Sequence, residues 1–440
     1  MQRLNDLLHR AGILPGLVDA TISPLYLVGG AVRDTLVQRP IHDLDLVTPD
    51  DPTPLARTLA RHMGAKWFML DQKRRQSRVL LPGQEGLTVD FAPFRASTLE
   101  ADLRARDFTL NACALDLRRP LAFETLIDPL GGREDLARGI LRACSPTVLK
   151  DDPLRLLRGV RYLLEFELTL DPASEGWLRQ ASPALSGIAG ERRCSELARL
   201  LATPLWRDAL PFLRTYRLWP GLLGYEPAEE DEATLFPLLA EFERRRSEFE
   251  EKGSQTLKTW SAEVGQDGLS GAALLRFALT LRAMPQVNPD EVSRTLRLGR
   301  RTTAALRLLL RLGDGQRQEL QRYPLQGRGA RLWGESFTPV PVSALLLLLV
   351  IFPELPLDRK FLELFDLMHE AESAPRLSPL LEGGAIAKMM APCDGKEIGR
   401  WQAMIRQKEL EGELKSRQDA INYLKLQSKK MIDKERPESL

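Results

Sequence analysis

Residues 41–47, IHDLDLV, alternate apolar and polar side chains, with Leu44 and Leu46 on one face and Asp43 and Asp45 on the other. That period is the signature of a half-buried strand. Two carboxylates spaced i and i+2 on a strand point the same way. On a solvated edge such a pair is unremarkable, but beside a buried face the two charges repel and a divalent cation relieves them. A dozen residues earlier, Leu25–Val28 is a short apolar run ending in Gly29-Gly30, followed by a helix-like stretch. Glycines there admit a phosphate to the backbone at a helix start. Alone the pair marks only a turn. Together with Asp43-x-Asp45 it points to two-metal nucleotidyl transfer with Mg²⁺. Asp90, on the alternating stretch Leu87–Phe91, is the candidate third carboxylate, with an exposed strand-end charge as the alternative.

The pattern changes along the chain. The first 145 or so residues mix strands with helices: Pro54–Met63 reads as a helix, and Phe123–Asp128 as a further strand. Beyond them the strand signals fade. Asp152–Glu165, Glu191–Leu201, Leu235–Glu251, Gly271–Met284 and Asp290–Leu312 read as helices, and Gly253–Ser270 as a loop. The expected fold is α+β, a mixed-sheet head followed by all-α modules. The expected divisions are a head over 1–145, a neck over 146–205, a basic body over 206–335 and a tail over 336–440. A chain of 440 residues is long enough for about three cores.

Lys+Arg number 62 against Asp+Glu 60, a net charge of +2, which excludes a uniformly basic histone-like protein but not a local basic face. The four cysteines form no CxxC, so no disulfide framework or zinc knuckle is legible, which fits a reducing cytoplasm. The longest apolar run, Ala344–Phe352, is nine residues, too short to span a membrane. The start, MQRLNDLLHR, lacks a signal-peptide apolar region. Four dispersed histidines give no metal cluster.

At this point the sequence resembles a family. GGAVRD followed by DLD is similar to the front motif of the class II tRNA nucleotidyltransferase and bacterial poly(A) polymerase family, within the polymerase-beta-like nucleotidyltransferases. RARDFTLNA, DPLGGREDLARGILR, DDPLRLLRGVRY and ERRCSEL match further family motifs in order, over residues 25–200. The resemblance implies a polymerase-beta-like head and untemplated addition of nucleotides to the tRNA 3′ end. By the same carry-over, Asp43 and Asp45 hold the metals, Gly30 and Arg33 meet the triphosphate beside Gly29, and Arg106, Asp107 and Asn111 recognise the ribose. Asp152 and Arg155 form an amino-acid template for the incoming base, and Arg158 and Arg161 continue that face toward the triphosphate. On a helix the first two would be i,i+3 neighbours, and a surface salt bridge is the bland alternative. Glu191 and Glu196 are implied as supports. The sequence departs from the family at Ala105, usually a second Arg, and at Asp151, usually Glu.

Residues 294–331 are rich in arginine, with only Asp314 and Glu319 as acids; Arg294, Arg297 and Arg301 are expected on one helical face that contacts RNA. EFERRRSEFE, 241–250, has mixed signs and reads as a solvated helix. Between Arg95 and Arg104 lie only the eight residues ASTLEADL. Family members that build the whole CCA end carry a longer flexible segment here. The resemblance therefore implies the CC-adding form, using CTP, with the adenosine left to a separate A-adding enzyme. The alternatives are a full CCA-adding enzyme that also takes ATP, a poly(A) polymerase, a small-molecule nucleotidyltransferase, or a non-catalytic tRNA-binding protein.

Overall fold

The computed structural model describes residues 1–10, 13, 17, 23–82, 87–252, 254–265, 267–373, 375–391 and 393–435. The chain forms two compact units, one of residues 1–188 with 208–221, the other of 189–207 with 222–440. The boundary falls inside the stretch expected as a neck.

The first unit is built on a six-stranded sheet: β1 (Tyr26–Val28), β2 (Asp43–Thr48), β3 (Lys66–Asp71), β4 (Gln76–Leu80), β5 (Thr88–Pro93) and β6 (Ala114–Asp116), in the order β3-β4-β5-β2-β1-β6. Only β2 and β5 run parallel. One face carries Leu27, Leu44, Leu46, Val79, Val89 and Phe91 into a core that also takes Leu55 and Leu59 of the helix Thr53–Met63. The opposite face holds Asp43 and Asp45. The strands expected over 25–28, 41–47 and 87–91 are all present, and β3 and β4 complete the sheet.

Phe123–Asp128 is not a strand. Thr125 Oγ accepts from the Ala122 amide and donates to the Pro120 carbonyl, closing a local 3₁₀ turn over Phe123–Thr125. Only Ile127 bridges to Ala114. The helix expected from Asp152 begins at Leu154 instead, because Pro153 disfavours helical backbone in the residue before it. Asp152 is extended, at φ −141° and ψ 94°.

In the second unit the helix expected over 290–312 is two, Pro289–Leu296 and Arg300–Arg311. Arg297 takes the left-handed conformation, φ 52°, and closes the first helix; Gly299 opens the second. The stretch expected as a loop over 253–270 contains the helix Gln255–Ala262, capped by the Ser254 hydroxyl. The 241–250 stretch is only partly solvated. Phe242, Arg245 and Phe249 are buried, and Arg245 donates to the carbonyls of Pro353 and Leu355. The helix Pro341–Ile351 is buried from Pro341 to Val350. Among the described residues no helix is long and apolar enough to cross a membrane.

Candidate active site

Strand register assembles the carboxylates. Asp45 lies opposite Asp90 in the parallel β2–β5 pair, and Asp43 opposite Thr88. Thr88 Oγ donates to Asp43 Oδ1 at 2.6 Å. Burial pushes the Asp45 carboxyl above its ordinary pKa; Arg106 draws it back, and Asp90 and Asp43 push it up again. A carboxylate short of water beside two others is a place for a cation. Among the described residues no three acidic, histidine or cysteine side chains form a closed metal cage. An open pair suits Mg²⁺, which keeps waters and phosphate oxygens as its other ligands.

Asp90 is already engaged. Arg78, its cross-strand neighbour on β4, grips it with two hydrogen bonds of 2.7 Å. The structure thus separates the expected trio into a pair open to a cation and a third carboxylate held by an arginine.

Gly29 ends β1 at φ +72°, a conformation that favours glycine. A Cβ there would stand 3.2 Å from both Asp45 Oδ2 and an Arg106 guanidinium nitrogen. The backbone thus passes close to the carboxylates. Gly30 starts the helix Gly30–Leu36, which carries Arg33.

Arg33 is nearly buried. It donates to Asp34 and to Asn111 Oδ1, and its guanidinium lies over the rings of Tyr162 and Phe166. Asn111 Nδ2 donates to Asp107 Oδ1 at 3.1 Å, and Arg158 Nε donates to Asp107 Oδ2 at 2.8 Å. Arg158 also reaches the Tyr162 hydroxyl. Burial alone would raise the Asp107 pKa. The Arg158 charge and the hydrogen bonds from Asn111, the Phe108 amide and Arg158 override it and hold the carboxyl well below the usual range. Residues of three separate motifs therefore form one network. Arg161 lies at its edge, paired with Glu165 at 3.0 Å.

The remaining head motif supports this segment. Asp128 accepts from the amides of Gly132 and Arg133, and Asp135 accepts from Thr109 Oγ. Gly159 lets the helix Leu154–Glu165 lie directly on Phe108, where a Cβ would come within 2.9 Å of the ring.

Arg155 donates to the carbonyls of Ala105, Arg106 and Val148 at 3.1–3.4 Å. Asp152 is not on its helix face, but its Oδ1 accepts from the Leu154 amide.

Arg106 packs on Asp102, which is fully buried and also accepts from the Arg95 amide at 2.8 Å. Asp102, Arg78 and Thr88 were not singled out from sequence. The apolar spacing of Leu99 and Leu103 held a signal for the first, because a helix there carries Asp102 in its last turn, just ahead of Arg106, which follows the helix end at Arg104.

The single helical face expected for Arg294, Arg297 and Arg301 does not form, because the stretch is two helices. Arg294 lies 3.8 Å from Glu291, Arg297 pairs with Glu191 at 2.9 Å, and Arg301 belongs to the next helix. The acids that 294–331 lacks come from elsewhere in the chain: Asp290 on Arg307, Glu354 on Arg317, Glu411 on Arg322 and Glu409 on Arg328. Glu196 is buried and pairs with Arg199.

Residues 25–142 match the Poly A polymerase head domain. The chain is 39% identical over 188 residues to a CC-adding tRNA nucleotidyltransferase of Geobacter sulfurreducens, covering 43% of this chain and 42% of that protein. It is 42% identical over 183 residues to an A-adding tRNA nucleotidyltransferase of Deinococcus radiodurans, covering 40% of each. These matches span less than half the length of either relative. Among solved structures, a CCA-adding enzyme in complex with ATP superposes with a TM-score of 0.66 at 22% identity, covering 96% of both chains. The fold is that of the CCA-adding enzymes, and the resemblance to the class II tRNA nucleotidyltransferase family holds.

Proposed function

We infer that this chain, as a class II tRNA nucleotidyltransferase, adds two cytidines from CTP to the 3′ end of tRNA without a nucleic-acid template and releases pyrophosphate. The adenosine then falls to a separate A-adding enzyme. Asp43 and Asp45 are the residues that would hold Mg²⁺, whose charge acidifies the RNA 3′-hydroxyl and offsets the charge of the leaving pyrophosphate. Gly29 and Gly30 let the backbone approach the triphosphate, and Arg33 supplies a cation held in place by Asp34 and Asn111. Arg106, Asp107 and Asn111 face the ribose. Asp152 and Arg155 present the edge that selects the base, with Arg158 and Arg161 beyond them.

The observation that carries the choice of CC is a run of anchors. The helix Leu99–Arg104 is capped by Thr98. Its Asp102 clamps Arg106, and the carbonyls of Ala105 and Arg106 in turn hold Arg155. Accepting a second base requires re-aiming Arg155. That motion pulls on residues 105–106, and through them on a buried ion pair and a helix with no slack on its N-terminal side.

The test is a tRNA transcript ending at the discriminator base, incubated with CTP and ATP together, with its 3′ ends then sequenced. Products stopping at CC are expected. Completion to CCA refutes the restriction, and long A tails establish poly(A) synthesis instead.

A further inference from the structure

Strand register extends the catalytic face outward in two rows. One runs Asp45, Asp90, Arg78, Phe68; the other runs Asp43, Thr88, Leu80, Lys66. The inner members are the carboxylates and their partners. The outer members lie on the β3–β4 hairpin, where Phe68 is 38% and Leu80 37% exposed; Leu70, two residues on from Phe68, is 49% exposed. These are three of the eight large apolar side chains exposed among the described residues. They gather on one hairpin, and two of them on the face that carries the carboxylates. The hairpin's turn, Gln72–Arg75, adds exposed Lys73, Arg74 and Arg75, and Lys66 is exposed beside the strip.

A flat sheet face with an accessible aromatic ring and a cationic border suits unpaired nucleotides. Bases stack on the ring and phosphates meet the cations, with no need for a particular sequence. Three inter-strand steps separate Phe68 from Asp45, about 14 Å in all. The strip is therefore continuous with the point where a 3′-hydroxyl must arrive.

We propose that the open face of the β3–β4 hairpin seats the unpaired 3′ end of the RNA acceptor, with a base stacked on Phe68 and the backbone bordered by Lys66, Lys73 and Arg74. This rests on the tRNA-extending reading above and adds where the primer lies. Arg78 takes part indirectly. By neutralising Asp90 it keeps a bare carboxylate from repelling the incoming strand.

The experiment compares wild type with Phe68→Ala, Phe68→Tyr and the double variant Lys73→Glu/Arg74→Glu. Read-outs are steady-state CTP incorporation, direct tRNA binding at several salt concentrations, and thermal melting. Phe68→Ala raises KM for tRNA about tenfold and leaves KM for CTP and the melting temperature unchanged. Phe68→Tyr restores the wild-type KM, since another aromatic face stacks equally well. The double variant flattens the salt dependence of binding by about one to two units. An active wild type whose Phe68→Ala variant keeps its KM for tRNA overturns the seat and leaves the enzymatic reading standing. A partner protein docked on the strip gives that same unchanged KM. A wild type that extends no tRNA overturns both.

Discussion

Asp102 is the residue whose loss tells most about how the site is held. It is fully buried, accepts from the Arg95 amide at 2.8 Å and from two Arg106 nitrogens at 3.2 Å, and Arg106 is itself only 7% exposed. Replacing Asp102 by Ala leaves a buried guanidinium without its counter-ion, a change that costs about 3–5 kcal/mol. Asp102→Asn keeps the shape and an acceptor and costs about 1–2 kcal/mol. With an m-value of about 3 kcal/mol per M for a unit of this size, the urea midpoint of the Ala variant falls by about 1–1.7 M. The freed Arg106 already lies beside Asp45, as the tight approach at Gly29 shows. Without Asp102 it turns to that carboxylate and competes with the cation. The assay is urea unfolding followed by tryptophan fluorescence, with CTP incorporation measured across a Mg²⁺ titration. Both variants require several-fold more Mg²⁺ for half-maximal rate, Asp102→Asn while still well folded. A midpoint within about 0.3 M of wild type for the Ala variant, with an unchanged Mg²⁺ requirement in both, refutes the clamp.

Asp43→Asn and Asp45→Asn each abolish CTP incorporation while retaining tRNA binding in a gel-shift assay. Their melting temperatures hold or rise, because the variants relieve like-charge repulsion on one strand face. In the second unit, burial pushes the Glu372 carboxyl up to about 7, eased by the Val342 amide, raised by Glu263 and lowered by Arg301; His369 also faces it. A raised folded-state pKa contributes stability that is complete below the unfolded value near 4.5 and is lost as pH rises through about 7. Melting curves should therefore show the wild type losing about 3 kcal/mol between pH 4.5 and 7.5, a loss absent from Glu372→Gln; parallel pH profiles would contradict the assignment.

The carboxylate pair and the glycine turn were legible because both depend on local chemistry: a period of two for Asp43 and Asp45, and a glycine pair after an apolar run. The network joining Asn111 to Asp107 and Arg158 was legible only as separate motifs, because nothing in the sequence says which side chains meet across more than 40 residues. Charge balance failed for the same reason. The stretch 294–331 looked short of acids only while its partners were sought inside it, and Glu191, Glu354, Glu409 and Glu411 reach it through the fold. Helical periodicity ran on past Arg297 because the left-handed turn there is made by an arginine, which carries none of glycine's warning.

The two departures from the family pattern have different consequences once their surroundings are known. At position 105 the family's extra arginine is replaced by alanine, yet Arg155, the arginine proposed for the template, is anchored there by the backbone carbonyl, which every residue provides. The substitution leaves the hold on Arg155 intact and removes only a side chain. Position 151 is exposed at the end of the short helix Val148–Asp151. Between it and Arg155, Pro153 fixes the turn, and Asp152 is held extended by the restriction that proline imposes on its predecessor. The extended backbone at Asp152 is thus set by the proline after it rather than by the length of the acid before it. The pair proposed to select the base is held by Pro153 on one side and by the Asp102–Arg106 clamp on the other. The first is a restriction on the backbone, and the second is a buried side-chain ion pair whose flanking carbonyls hold Arg155.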